Sequence, residues 1–235
     1  MTMTRVPMKI LCLIIDCVPH EAWRETYDVH RRIWNACLDL NPDVEGYFLR
    51  ADLALASDHL VEGRVFTARG HERYDTIFEK TRKAIEVLLG DHDYVIRTNL
   101  SSLYDFPLLR RRVLPAEGLY TGCLGYTDHG PFVSGSGMIL SPDVAKKLLS
   151  PPSDLALSGC DDVAISQILR ARGVVPLHEP RYDYDYSRGL DQVTIGQYVQ
   201  YRLRDEGHPQ RLREREATEH VFAEICRAAA ELEHA

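Results

Sequence analysis

Residues 131–149 read PFVSGSGMILSPDVAKKLL and, after a short loop, residues 159–169 read GCDDVAISQIL. The first run turns from glycine-rich to apolar over residues 132–140, which predicts a strand, and residues 144–149 then predict a helix. In the second, Ala164, Ile165, Ile168 and Leu169 recur at helical spacing, so residues 163–171 form a helix opened by Asp161 and Asp162. A strand, a helix and a helix that begins on paired carboxylates thus follow one another closely.

The same alternation extends outward in both directions. Residues 8–15 (MKILCLII) are a continuous apolar run, as expected of a strand covered on both faces of a parallel sheet. Trp23, Tyr27, His30, Trp34 and Leu38 fall on one side of a following helix. Residues 46–51 and 64–68 are shorter strands. Ile77, Thr81, Ala84, Ile85 and Leu88 mark a second amphipathic helix, with Gly90 placed for a left-handed end. Residues 94–98 (YVIRT), 119–124 and 174–177 read as further strands. A last helix covers residues 214–232, with Val221, Ile225, Ala228 and Leu232 on one face. This order predicts an α/β sandwich with a mostly parallel central sheet. Ligands of such sheets sit beyond the carboxyl ends of the strands, so the segments after Ile15, Thr98 and Leu177 are where polar residues matter.

Composition narrows the classes. The chain has 235 residues and neither a Pro- or Gly/Ser-rich linker nor an internal repeat. With roughly 150 residues to a domain, one domain over residues 1–235, ending in a helical segment at about 210–233, is expected. A net charge of −7 argues against a broad basic surface for nucleic acid, although Arg110, Arg111 and Arg112 form a local basic cluster. Cys12, Cys17, Cys37, Cys123, Cys160 and Cys226 lack CxxC spacing, so neither a metal knuckle nor a disulfide framework is expected. Arg5 and Lys9 precede the apolar run at residues 10–15, which is too short for a signal-peptide core or a membrane span. A cytoplasmic protein with reduced thiols is the expectation.

GSGMILSPDVAKKL followed by DDVAISQIL resembles the β-1,3-glycosyltransferase and Fringe type of the GT-A fold. There a "GxGYxLS" strand precedes an "EDV" or "DDV" helix start. Upstream, Glu72-Arg73-Tyr74 with Lys80-Thr81 resembles that family's "DxYxNLTxKT" helix, and residues 94–98 resemble its "YxxKT" strand. Together the motifs cover residues 72–173. The resemblance implies a GT-A-like (Rossmann-like) α/β/α sandwich that moves a sugar from a nucleotide-sugar donor, a UDP-sugar above others, to a glycan or other hydroxyl acceptor, with inversion. Asp162 takes the position of the family's general base, beside Asp161. On the residues alone, both aspartates equally suit a helix N-terminus, where capping and the helix dipole stabilise them by ~0.5–2 kcal/mol.

The family's strand runs on into a DxD triplet that holds a divalent cation under the donor diphosphate. This chain has Asn99-Leu100-Ser101 there, and hard cations prefer charged oxygen ligands. Asp91-His92-Asp93 has the DxD pattern but precedes the strand, where it reads as a polar loop. The resemblance leaves two models open. Either Arg97 and Lys80 neutralise the diphosphate without metal, or Asn99 and Ser101 help hold Mn2+ or Mg2+ with a further ligand such as His178. NLSSLYDFPL also resembles the "NLSGxDFPL" stretch of metal-independent core-2 and xylosyltransferase-like enzymes. Arg97 reads equally well as a surface ion pair, and His178 as a structural histidine.

Three further groups are candidates. Asp16, directly after the first strand, could meet uracil or ribose hydroxyls, or simply cap a turn. Gly135 and Gly137 let substrate approach the backbone, or permit close packing, while Ser134 and Ser136 offer hydroxyls. Tyr182, Tyr184 and Tyr186 alternate with Asp183 and Asp185. If extended, they put three aromatic rings on one face, either as an acceptor wall or in an ordinary edge strand. Two rival functions stand beside the transferase: a non-catalytic nucleotide-sugar or carbohydrate binding module, and a metal-dependent hydrolase using Asp16, Asp161 and Asp162.

Overall fold

The computed structural model describes residues 8–17, 21–187, 189–205 and 211–233; Arg5 and the side chain of Leu232 lie outside them. In chain order the elements are β1 (Ile10–Ile15), α1 (Arg24–Asp39), β2 (Val44–Asp52), β3 (His59–Glu62), β4 (Val65–Arg69) and α2 (Ile77–Leu88). Then come β5 (Tyr94–Asn99), β6 (Ser102–Tyr104), α3 (Phe106–Leu109), β7 (Tyr120–Thr127), β8 (Gly130–Leu140) and α4 (Pro142–Lys147). The chain continues through α5 (Asp161–Ala171), β9 (Leu177–His178), β10 (Tyr182–Asp183), β11 (Gln200–Arg202) and α6 (Leu212–Glu233).

The main sheet has the order β3-β4-β2-β1-β5-β8-β7-β9. β1 is parallel to both β2 and β5, β2 to β4, and β7 to β9, whereas β8 runs antiparallel to β5 and β7. Every residue of β1 is buried, and its alternation divides the core. Ile10, Cys12 and Ile14 join the cluster under α1 and α6; Leu11, Leu13 and Ile15 join the cluster under α2, α4 and α5. The continuous apolar run is therefore the signature of a strand between two helical layers, and the molecule is an α/β/α sandwich with a mostly parallel central sheet.

A three-stranded sheet, β10-β11-β6, packs on the α1 side. The sequence reading did not separate β3, β6 and β11, and offered β10 only as an edge-strand alternative at residues 182–186. Each is only two to four residues long, too short for a period to register. The strand expected at 174–177 contracts to Leu177–His178 at the sheet edge. Gly90 does take the left-handed conformation, at φ 47°. Asp91 and Asp93 bind the start of β1: the Lys9 backbone N–H donates to Asp93 Oδ2 at 2.8 Å and its ammonium pairs with Asp91. Arg110 pairs with Asp43, and Arg112 lies 3.6 Å from Glu179. Two of the three arginines of the basic cluster thus face neighbouring carboxylates. Among the described residues, no helix is long and apolar enough to cross a membrane.

Candidate active site

A cleft of about 390 Å³ opens beyond the carboxyl ends of β1 and β5. Its walls bring together eight of the residues singled out from sequence: Arg97, Asn99, Ser101, Ser134, Gly135, Ser136, Asp161 and Asp162. The cleft thus lies at the carboxyl edge of parallel strands, where open α/β sheets bind their ligands.

The glycine of β8 organises the carboxylate wall. Arg97, 3% exposed, reaches from β5 to donate to the Gly135 carbonyl and to pair with Asp161, itself 5% exposed. A β-carbon at Gly135 would lie 2.6 Å from Arg97 Nη1 and 3.3 Å from Asp162 Cβ, so only glycine lets the three meet. Burial pushes the Asp161 carboxyl above its ordinary range, while the Arg97 charge pulls it down. Arg97 is therefore a buried ion pair, not the surface pair that its sequence context also allowed.

Asp162 is half-buried and faces the cleft. Its Oδ2 accepts from the Gly135 N–H at 2.9 Å, and its Oδ1 from the Val163 N–H at 2.9 Å and the Cys160 thiol at 2.8 Å. Cys160 Sγ also meets the Tyr74 hydroxyl at 3.0 Å. Burial, reinforced by the neighbouring carboxylate, raises the Cys160 thiol above its usual range and keeps it protonated.

The residues fit a hard cation poorly. Asn99 Oδ1 accepts from the hydroxyls of Ser101 and Ser102 at 3.2 and 3.0 Å, and the Leu100 carbonyl accepts from Trp34 Nε1 at 3.3 Å. Cys160, Asp161 and Asp162 do place possible ligand atoms within 4.8 Å of one another. However, one is a protonated thiol and another a carboxylate already matched by Arg97, whereas Mg2+ or Mn2+ needs ionised oxygens.

Several expected site residues stand elsewhere. Asp16, 1% exposed, does not line the cleft; it accepts from Arg31 Nη2 at 2.7 Å and Arg50 Nε at 2.8 Å, which use its charge internally. Asp16 does not join Asp161 and Asp162 in a group that could hold a metal ion, which disfavours the three-aspartate hydrolase. Lys80 is buried in a 2.5 Å ion pair with Glu72 and borders a different cavity of about 490 Å³. Gly137 faces the Tyr104 hydroxyl and the Gln200 amide, so its lack of a side chain serves packing. Tyr182 packs on Tyr198 and Tyr201, and Tyr184 edge-on to Tyr186, all against the core. His178 is exposed at the sheet edge, its Nδ1 accepting from the Leu124 N–H at 3.4 Å. It reaches neither Asn99 nor Ser101 as a shared ligand, since it is not among the cleft residues.

The cleft also contains residues that the sequence reading did not put forward for the site: Trp23 and Tyr27, read there only as one face of a helix, Tyr74, read only as part of a family motif, and Arg202, Arg204 and Arg211. One signal was present. In QYRLR (200–204), Tyr201 and Leu203 are apolar and fully buried, which turns Arg202 and Arg204 to the opposite face.

No protein-family model matches the chain, and no curated protein does. Among solved structures, the catalytic domain of Drosophila β1,4-galactosyltransferase 7, determined in complex with xylobiose, is similar with a TM-score of 0.45 and 13% identity. The match covers 73% of this chain and 64% of that one, less than two thirds of its length. So loose a likeness assigns no activity, which must come from the site itself.

Proposed function

We propose that the protein transfers a glycosyl group from a nucleotide sugar to an acceptor hydroxyl, with inversion at the anomeric carbon. The observation that carries this reading is the position of Asp162, a carboxylate fixed on a cleft wall at the carboxyl edge of a parallel sheet. The ordered motifs over residues 72–81, 94–98, 135–141 and 161–163 support it.

In this reading Asp162 accepts the proton of the acceptor hydroxyl. The hydroxyl oxygen bonds to the anomeric carbon as the bond from that carbon to the diphosphate oxygen breaks, and the electron pair leaves with the diphosphate. Asp161 acts through position: its pair with Arg97 fixes Gly135, and Gly135 fixes Asp162. Ser134 and Ser136 lie beside it as hydroxyl-bearing walls for the acceptor, a glycan or another alcohol. Holding both substrates in one cleft supplies much of the rate. A single domain working in the cytoplasm, where its six free thiols stay reduced, completes the reading.

A second reading, a non-catalytic nucleotide-sugar binder, is favoured by one observation: both Asp162 oxygens already accept hydrogen bonds. Incubation with a panel of nucleotide sugars separates the two. A catalyst releases free nucleoside diphosphate from at least one donor, slowly to water and faster with an acceptor. A donor that raises the melting temperature yet is never cleaved points to the binder.

A further inference from the structure

We infer that Cys160 and Tyr74 position the base. A directed chain of hydrogen bonds, from the Tyr74 hydroxyl to the Cys160 sulfur and from that thiol to Asp162 Oδ1, fills one carboxylate oxygen and leaves Oδ2 to take the acceptor proton. The base role rests on the glycosyl-transfer reading; the chain rests on geometry alone. Its direction follows from counting hydrogens. A thiol carries one, and that of Cys160 lies on Asp162 Oδ1 at 2.8 Å. At the 3.0 Å contact between Cys160 Sγ and the Tyr74 hydroxyl, the tyrosine is therefore the donor. Each carboxylate oxygen has two lone pairs. Both of those on Oδ1 are used, by Cys160 and the Val163 N–H, whereas Oδ2 receives only the Gly135 N–H among the described residues. One lone pair of Oδ2 thus stays open on a residue that lines the cleft. The acceptor hydroxyl gives its proton there as its oxygen bonds to the anomeric carbon and the diphosphate leaves with the electron pair of the broken bond.

The local sequence supports this use of the thiol. Cys160 is the N-cap of α5, with extended backbone at φ −91° and ψ 121°, yet its side chain makes no capping bond. Ser, Thr, Asp and Asn are favoured at that position because their oxygens satisfy the first turn. Cysteine gives up the cap, and its hydrogen goes to Asp162 instead; such breaks of a local rule are expected at functional sites. The backbone of Cys160 is held on both sides: its N–H donates to Ser158 Oγ at 3.1 Å, and its carbonyl accepts from the Ala164 N–H at 2.9 Å. Tyr74 comes from the single turn Tyr74–Thr76 ahead of α2, braced by the Thr76 hydroxyl donating to the His71 carbonyl at 2.6 Å, and it too lines the cleft. Burial and the Asp162 carboxylate raise the Cys160 thiol, with a smaller push from Asp161, while the Tyr74 hydroxyl draws it down. The bond to Cys160, with burial, raises the Tyr74 hydroxyl. Both groups thus keep the hydrogens that the chain requires.

Steady-state kinetics and thiol alkylation of the full chain test the inference. Cys160→Ala is expected to lower kcat about tenfold with the donor KM within about twofold of wild type, and Cys160→Ser, which keeps a donor, to restore kcat to within about twofold. Iodoacetamide reacts with the thiolate, so its rate at Cys160, read by peptide mass spectrometry, reports the chain without any turnover. Asp162→Asn is expected to speed that reaction about fivefold and Tyr74→Phe to slow it about twofold. Cys226, on α6 and away from the cleft, is the internal standard whose rate stays unaltered. A Cys160→Ala protein that turns over like wild type, a Cys160→Ser protein as impaired as Cys160→Ala, or alkylation of Cys160 indifferent to both Asp162→Asn and Tyr74→Phe overturns the inference. If alkylation shifts as expected in a protein that cleaves no donor, the chain stands and the transfer reading fails.

Discussion

Glu214 and His30 show how strongly single residues are shaped by the packing of α6 on α1. Both side chains are fully buried, 3.8 Å apart, with Thr218 Oγ1 3.1 Å from His30 Nε2 and the Asp205 N–H donating to Glu214 Oε2 at 3.0 Å. Burial lifts Glu214 from 4.5 to about 7, and burial with the nearby Arg211 charge lowers His30 to about 3. Between those values both groups are neutral. Glu214 holds its proton more tightly folded than unfolded, so its contribution to stability is lost as pH rises from about 4.5 to about 7. Glu214→Gln abolishes that loss. Its stability relative to wild type should therefore grow by about 1.4 kcal/mol per pH unit across this window, about 3 kcal/mol in all, and then level off. Denaturant unfolding at several pH values reads this directly. A difference independent of pH would mean that Glu214 titrates normally. None of this was legible in sequence, where His30 was one of five residues on an apolar helix face. Asp161 and Asp162 were legible as a pair; which of them is buried against Arg97 was not, because that partner lies 64 residues away.

Among the elements, β8 and β11 decide the site. β8 was readable from residue 132 to its end, since glycine, serine and apolar residues mark a strand that turns from cleft to core; only its first two residues were missed. The role of its glycines was only half readable. Gly135 and Gly137 look alike in sequence, yet one admits Arg97 and Asp162 to the cleft wall and the other admits Tyr104 and Gln200 inside the protein. Gly135→Ala should cost roughly 1–3 kcal/mol in urea unfolding, the usual penalty of overpacking, and should lower transfer by displacing Asp162. A variant with unaltered stability and activity would show that the contact between Arg97 and the strand is dispensable. β11 was missed because three residues give too short a period, and because its significance depends on β6 lying beside it. The tyrosines at 182–186 allowed an acceptor wall or an ordinary edge strand; β10 edges the three-stranded sheet, and Tyr182, Tyr184 and Tyr186 pack on the core.

At the scale of the molecule, the continuous apolar run of β1 and the alternation of strands with helices were enough to indicate the sandwich, because covering both faces of a sheet demands that pattern. The location of the cleft followed from the same rule, at the carboxyl edge. What sequence could not supply was the internal use of charge. Asp16, Lys80 and Arg97 all sit near that edge and all proved to be neutralised by partners brought in by folding: Arg31 and Arg50, Glu72, and Asp161. Three further arginines of the cleft wall come from the C-terminal third, within a chain whose net charge is −7. The most direct measurement on the whole protein is steady-state turnover of Asp162→Asn against wild type on the donor that the panel identifies, with UDP affinity measured in parallel. Loss of a general base predicts a fall in kcat of about 10²–10⁴-fold with UDP affinity retained; a folded Asp162→Asn protein that turns over like wild type would contradict the account.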